Sequence, residues 1–229
     1  MNVDEFIALV RSTRTIRNFL PDKEVPEEYV EKVIEAARLA SSGANAQPWE
    51  FIVVRSPETR KQITNIFIEV IRKLPEIDPD FPFAGEVTIL NQLGKAPVHI
   101  VVCADQRFKD AYPQHGTSDT HTVQQVSMGL AIQNIHLAAK ALGLSTGWAS
   151  VSGNLECELR KLLDIPVNIQ VLEVIPLGYA GAAPQAPYRR PLSSVIHREK
   201  FHTEQLRTLK EIRELLATRK FGNIYSGKS

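Results

Sequence analysis

The sequence predicts one large globular domain in which helices and strands are mixed, and three observations lead there. Its 229 residues, 43% hydrophobic and 23% charged, have the balance of an ordinary globular chain long enough to bury a core. Amphipathic segments with three-and-four spacing alternate with short apolar runs rich in branched residues. No internal repeat or low-complexity tract interrupts them, and the longest mid-chain apolar stretch, Ala96 to Ala104, falls far below the ~18 residues of a membrane span.

Glu5 to Val10 predicts a short amphipathic helix, and Pro26-Glu27-Glu28 opens a second that runs to about Ala40. Its positions Val30, Val33, Ile34, Ala37 and Ala40 make one buried face. Glu50 to Val54 reads as a strand, and Ser56-Pro57-Glu58 starts a helix to roughly Arg72. Prolines at 75, 79, 82 and 97 then predict irregular chain over 74 to 95. Pro97 to Ala104 predicts a strand buried on both faces at the sheet centre. Asp119 to Leu142 is the longest helix, stopped by Gly143. Its small face, Ala131, Asn134, Ile135, Ala138 and Ala139, suits either the centre of a dimer or burial within one chain. Leu144 to Ser150 and Ile169 to Leu177 read as strands around a helix at Leu155 to Leu163. Ala180 to Pro191 has three prolines and no periodicity, and a polar helix is expected from Thr203 to about Lys220. With too little apolar content for its own core, this arm is expected to lie across another surface, a partner subunit included. The division expected is a main domain over 1–200, arm included, and a C-terminal helix and tail over 201–229.

Charge and composition exclude several functions. With 27 basic and 26 acidic residues there is no overall field to hold nucleic acid. Cys103 and Cys157 lack metal-site or disulfide spacing, and the acidic start Met1-Asn2-Val3-Asp4-Glu5 lacks a basic, then apolar, export signal; a cytoplasmic protein with no membrane contact is expected. There is no Gly-x-Gly-x-x-Gly after a strand, no Gly-x-Ser-x-Gly elbow and no metal spacing among the six histidines, so a dinucleotide fold, serine hydrolysis and metal chemistry are not expected. His115 and His121 flank a loop that either lines an acceptor pocket or is simply solvated.

Two segments carry chemistry. Arg11-Ser12-Thr13-Arg14-Thr15-Ile16-Arg17 gathers three guanidiniums and three hydroxyls just after a helix. Such a set can grip a phosphate or form a solvated basic helix end. Ser41-Ser42-Gly43-Ala44-Asn45-Ala46-Gln47-Pro48-Trp49 is a polar loop between a helix and a strand. Its hydroxyls and carboxamides can bond a polyhydroxyl chain or the amide edge of a heterocycle, or merely connect two elements, with Trp49 in the core.

Taken in order, Arg14-Thr15-Ile16-Arg17-Asn18-Phe19 and Ala40-Ser41-Ser42-Gly43-Ala44-Asn45-Ala46-Gln47-Pro48-Trp49-Glu50-Phe51 resemble the paired N-terminal signature of the FMN-dependent nitroreductase family. Lys95-Ala96-Pro97, Gln133-Asn134 to Ala139, Gly143-Leu144, Gly147-Trp148 and Pro176-Leu177-Gly178-Tyr179 extend the resemblance across roughly residues 4 to 200. It implies an α+β fold: a central, mainly antiparallel sheet flanked by helices, with the C-terminal arm wrapping the partner of a homodimer. It also implies FMN as cofactor, NADH or NADPH as transient hydride donor to flavin N5, and a small acceptor such as a nitroaromatic or quinone.

By the same resemblance, Arg14, Thr15 and Arg17 bind the flavin from phosphate to ring edge, with Arg17 favouring the reduced anion. Ser42, Asn45 and Gln47 hold the ribityl chain and ring from the other subunit. Ala149 and Ser150 face N5, the Ser150 hydroxyl either donating there or only ending a strand. Arg189 and Arg190 return to the phosphate, Arg189 preferred. No dedicated acid or base is implied. Thr13 stands where the family often has a basic residue, which shifts phosphate binding toward Arg189, and Ser41 stands where proline is common. The alternatives are a dehalogenase-like or flavin-degrading relative of the same fold, a flavin-binding or redox-sensing protein with little turnover, and a structural dimer without cofactor.

Overall fold

Strand β2 (Val98–Asp105) is buried on both faces from Val98 to Ala104, as its unbroken apolar run requires. In this computed structural model, which describes residues 1–77, 85–111, 119–182, 186 and 188–218, with backbone alone at 74–77 and 216–218, β2 lies between β1 (Trp49–Val54) and β5 (Ile169–Gly178). All its pairings are antiparallel, with Ile100 opposite both Val53 and Ile175. The outer edge of β5 is covered by two short strands, β3 (Ser145–Thr146) near Leu177 and β4 (Ala149–Ser150) near Val174. The chain is therefore α+β with an antiparallel sheet.

Helices cover both faces. Helices α1 (Val3–Ser12) and α2 (Glu27–Arg38) precede β1, and α3 (Pro57–Ile77), α4 (Glu86–Ile89) and a π-turn at Leu90–Gly94 separate β1 from β2. α5 (Phe108–Ala111) and α6 (Thr120–Ala141) follow β2; α7 (Asn154–Leu162) links β4 to β5, and α8 (Leu209–Thr218) ends the described chain. One core lies between the sheet and α2 with α6, joining Val30, Val33 and Ala37 to Ile100, Ile135 and Ile175. The other lies under α3 and α7, joining Ile63, Phe67 and Leu159 to Val101, Val171 and Val174. Each such side chain taken from water stabilises by about 1.5–3 kcal/mol. Among the described residues no helix is long and apolar enough to cross a membrane.

Two expectations change and one left open is decided. The stretch 74–95 is not irregular where it is described: α3 runs on to Ile77, and Glu86–Gly94 is helical, its Ile89, Gln92 and Leu93 buried. A proline penalises only the helix turn before it, and over Glu86–Gly94 the buried face outweighs composition. Residues 78–84 lie outside the described residues. The C-terminal helix starts at Leu209, since Thr203–Gln205 is a separate 3₁₀ turn. The small face of α6 is used within the chain: Ala131, Ile135 and Ala139 pack in the α2 core, and Asn134 Nδ2 donates to the Ala36 carbonyl at 2.9 Å. It is the opposite side of α6, with Val126 and Leu130, that stays exposed.

Between β3 and β4 the chain passes through a space that admits no side chain at Gly147. A Cβ there would stand 2.6 Å from Pro176 Cγ and 2.9 Å from the Ile16 carbonyl oxygen. The Gly147 N–H bonds the Pro176 carbonyl at 2.9 Å, and Gln92 Nε2 donates to the Trp148 carbonyl at 3.0 Å. Gly147→Ala is therefore expected to cost about 1–3 kcal/mol through overpacking, read as a lowered melting temperature. An unchanged melting temperature would show that this crossing relaxes freely.

Candidate active site

The segment after α1 docks on the sheet edge. The Ile16 N–H donates to the Thr146 carbonyl at 2.8 Å, making Thr15 and Thr146 an isolated parallel bridge, while Ile16 and Phe19 are buried. These anchors hold Arg14 at a cleft of about 280 Å³ that is also lined by Ser12, Thr13, His136, Lys140 and Ser145. No acid lines it. Arg14 Nη1 donates to the Arg11 and Thr13 carbonyls, so its guanidinium is braced by its own turn. His136 Nδ1 bonds Thr146 Oγ1 at 2.6 Å, and its buried Nε2 has no partner among the described residues. Burial pushes its imidazole down to about pKa 4, which keeps it neutral. A guanidinium, an ammonium and several hydroxyls without a carboxylate suit a phosphate dianion. The cleft fits the phosphorylated end of a cofactor such as FMN.

Beside the cleft, a row of polar groups follows β4. The Trp148 ring stacks on His136 with centroids 5.6 Å apart, and its Nε1 donates to Ser150 Oγ at 2.8 Å. Ser150 pairs across the strands with Glu173 of β5, a carboxyl only 3% exposed. Burial raises Glu173 to about pKa 8, opposed in part by hydrogen bonding from the Ser150 hydroxyl and the Ala149 N–H. One of its oxygens, Oε1, has no partner among the described residues. Ala149 is buried in the core on the other face, and Ser150 is exposed.

The loop at 41–47 is built differently from its neighbours. Ala44, Asn45 and Gln47 all have left-handed backbone, with φ of 49°, 55° and 49°. Such conformations in non-glycine residues cost free energy and cluster at functional sites. The loop is tied down by the Gln47 N–H on Ser42 Oγ at 3.0 Å and the Gly43 N–H on Ser127 Oγ at 3.2 Å. Asn45 and Gln47 are exposed. Trp49 is buried in the core.

Not all the expected residues converge within one chain. Arg14 and Thr15 sit at the cleft and sheet edge, with Arg17 half-buried just beyond. The loop of Ser42, Asn45 and Gln47 is tied to α6 at Ser127, nine residues before His136. At 1.5 Å per residue that is ~13 Å along the helix. Arg189 is exposed, its Nη1 near the Tyr188 carbonyl, and Arg190 donates to the Ser194 carbonyl; the arm reaches the cleft through Ala186 instead. His121 is exposed, its N–H capping α6 on Asp119, and His115 lies outside the described residues. Burial pushes the Cys103 thiol up to about 12, so it is inert, and among the described residues no cluster could hold a metal.

Sequence reasoning missed Lys140, His136 and Glu173. Lys140 and His136 stand four apart on α6 and so share a face, a usable signal. Glu173 is an acid inside the apolar run Val171 to Leu177, which was equally visible.

The buried groups set opposing pH dependences. Between about pH 4.5 and 8 the folded chain holds a proton on Glu173 that the unfolded chain has released, so this contribution is full below 4.5 and is lost as pH rises. His99 and His136, both lowered to about 4, contribute fully above 6.5 and lose stability as pH falls. Glu173→Gln should therefore match the wild type near pH 5 and gain up to roughly 5 kcal/mol over it by pH 9, in denaturant titrations. A parallel pH profile for the two proteins would show that Glu173 ionises normally.

The sequence profile of the nitroreductase family matches residues 10–179. A protein of Archaeoglobus fulgidus described as "Putative NADH dehydrogenase/NAD(P)H nitroreductase" is 35% identical over 179 residues, 77% of this chain and 86% of that protein. Iodotyrosine deiodinase 1 of Sus scrofa is 30% identical over 208 residues, 84% of this chain and 68% of that protein. Among solved structures, an NADPH:FMN oxidoreductase from Vibrio harveyi complexed with NAD+ superposes with a TM-score of 0.66 at 23% identity, covering 96% of this chain and 86% of that one. On its sequence profile and these relatives, this chain belongs to the nitroreductase family.

Proposed function

We propose that this chain is an FMN-dependent oxidoreductase that works as a homodimer, taking hydride from NADH or NADPH and passing electrons to a small acceptor such as a nitroaromatic or quinone. The observation that carries this reading is the acid-free cleft of Arg14, Lys140 and hydroxyls set beside the β4 edge. Relatives named for NAD(P)H nitroreduction and a fold neighbour named for FMN and NADPH support it. When bound, FMN would supply a ring nitrogen that both accepts and donates hydride.

The chain's own residues would hold and orient it. Arg14 and Lys140 would hold the phosphate with Ser12, Thr13 and Ser145, Lys140 supplying the cation that Thr13 does not, and Arg189 or Arg190 would join them from the arm, whose Ala186 lines the same cleft. Arg17, three residues on from Arg14, would place positive charge where the reduced ring is anionic. Ala149 and Ser150 offer their strand edge to the ring. Ser42, Asn45 and Gln47 would reach the same cofactor from the partner, since their own chain holds them well along α6 from the cleft.

Dimerisation is also what the surface calls for. α1 buries none of its residues and exposes Phe6, Ile7 and Val10; α6 exposes Val126 and Leu130; the arm exposes Leu192, Val195, Ile196 and Phe201. Apolar surface on this scale marks an interface.

The decisive experiment is an absorbance spectrum of the purified protein, then anaerobic titration with NADH and NADPH and reoxidation by a nitroaromatic or quinone. Flavin bleaching and acceptor-driven recovery are expected; colourless protein that takes up no FMN would overturn the reading. Arg14→Ala should weaken FMN binding about 10–100-fold and riboflavin binding far less, because one charge-assisted phosphate bond is lost. Arg17→Ala should weaken flavin binding or slow its reduction. Unchanged values for both would remove Arg17 from the site.

The 30% identity to iodotyrosine deiodinase 1 favours a second reading, reductive dehalogenation on the same cofactor. Turnover of a halogenated tyrosine in preference to nitroaromatics would select it.

A further inference from the structure

A carboxyl 3% exposed, with no charge effect from a cation and with one oxygen unpaired among the described residues, is costly in a sheet that is otherwise apolar at this point. Its strand partner is the exposed Ser150, directly opposite, and Ser150 Oγ already accepts a hydrogen bond from Trp148 Nε1 at 2.8 Å. A hydroxyl has one proton and two lone pairs, and here one lone pair is taken. What Ser150 can show to the solvent side of the sheet edge is therefore decided by Glu173.

We propose that Glu173 is a positioning residue that sets whether the Ser150 hydroxyl acts as donor or acceptor toward the cofactor. The proposal rests on the reading that β4 lies along the flavin ring. With Glu173 ionised, the only proton of Ser150 turns inward to the carboxylate, and a lone pair faces outward. With Glu173 protonated, the acid donates to the remaining lone pair of Ser150 and the hydroxyl proton faces outward. A flavin ring nitrogen that accepts hydrogen bonds when oxidised and donates one when reduced would prefer these two arrangements in turn. Reduction would then favour ionised Glu173, and ionised Glu173 would favour reduction, by reciprocal linkage.

The position of the carboxyl lets one group dominate. Around Glu173, β2 carries His99, Cys103 and Asp105 and α6 carries His121, His136 and Lys140, while the acids and bases of α2, which packs on the same core, exert no charge effect on it. His99 is bonded to the Leu93 carbonyl and Asp105 to Arg107, Cys103 faces the other core, and none of the six contributes a charge effect at Glu173. Burial, Ser150 and the Ala149 N–H are what act on it. A carboxyl raised by desolvation and opposed only by two hydrogen bonds responds to a neighbour's hydrogen-bonding demand.

The test follows the Glu173 side-chain carbon by NMR in protein labelled with ¹³C-glutamate, the signal assigned by its loss in Glu173→Gln. In the protein without cofactor, one carboxyl should titrate near pH 8; titration in the ordinary carboxylate range overturns the proposal. With FMN bound, the midpoint should fall about tenfold in proton affinity on anaerobic reduction, and Ser150→Ala should abolish that difference. The linked potential of wild type above pH 8 should exceed that of Glu173→Gln by about 30 mV, a tenfold change for a two-electron couple. Equal Glu173 midpoints in the oxidised and reduced protein, with Trp148 indole and Ala149 amide signals moved by FMN, overturn the proposal while leaving the site intact. If FMN binds yet moves neither signal, the placement of the ring fails instead. Should Glu173→Gln not fold, Ser150→Ala against wild type decides the same question.

Discussion

The antiparallel pairing of β2 with β5 is the constraint on which the other features rest, because it is buried over Val98 to Ala104 and Glu173 to Gly178 and any slip would turn a core face outward. It contains one irregularity, between Val102 and Cys103, where β5 spends an extra residue, Leu172. A bulge of this kind reverses the inside–outside parity of the strand beyond it. Val171 faces the α3 and α7 core, and after the bulge Glu173 is opposite Val102 on the α2 and α6 side. Strict alternation from Val171 would have sent this carboxyl into the other core. One inserted residue thus puts the buried acid on the same side as Ser150.

The same strand organises the polar edge. β5 has β2 on one side and two fragments, β3 and β4, on the other, joined through Gly147 and Trp148, and the outer side of β3 takes one more partner. The N-terminal segment enters there through the Ile16 bond to Thr146, which carries Arg14 to the cleft. Sheet hydrogen bonds therefore place a cationic, phosphate-ready pocket within one strand of a hydroxyl and a buried carboxyl. Such proximity of charge-binding and hydrogen-bonding groups on rigid backbone is what a redox cofactor needs, since the cofactor brings the bond chemistry itself.

A second copy would finish what one chain leaves open. The apolar residues of α1, the outer side of α6 and the arm have no cover within the described chain, whereas the loop carrying Asn45 and Gln47 is held in a costly left-handed conformation and yet exposed. A strained, exposed, polar loop has a reason to exist if it meets a ligand on a neighbouring subunit. The two features point the same way.

Much of this was legible in the chain. The alternating periods located α2, α6, β2 and β5, since a period of 3.6 or an unbroken branched run dictates which surface is buried whatever the surroundings. The ordered pair of motifs around Arg14 to Phe19 and Ala40 to Phe51 pointed to the family whose profile matches residues 10–179. Tertiary structure alone decided the rest. Helicity over Glu86–Gly94 came from burial of Ile89, Gln92 and Leu93, which outweighs proline-rich composition nearby. The small face of α6 went to α2 of the same chain, a choice between two equally good packing partners that no periodicity can make. Lys140 joined Arg14, and Glu173 met Ser150, only because strands and helices distant in sequence were brought side by side. Local patterning determines which groups are buried; which buried groups meet is a property of the register and crossing of whole elements, and that is written in no single stretch of the chain.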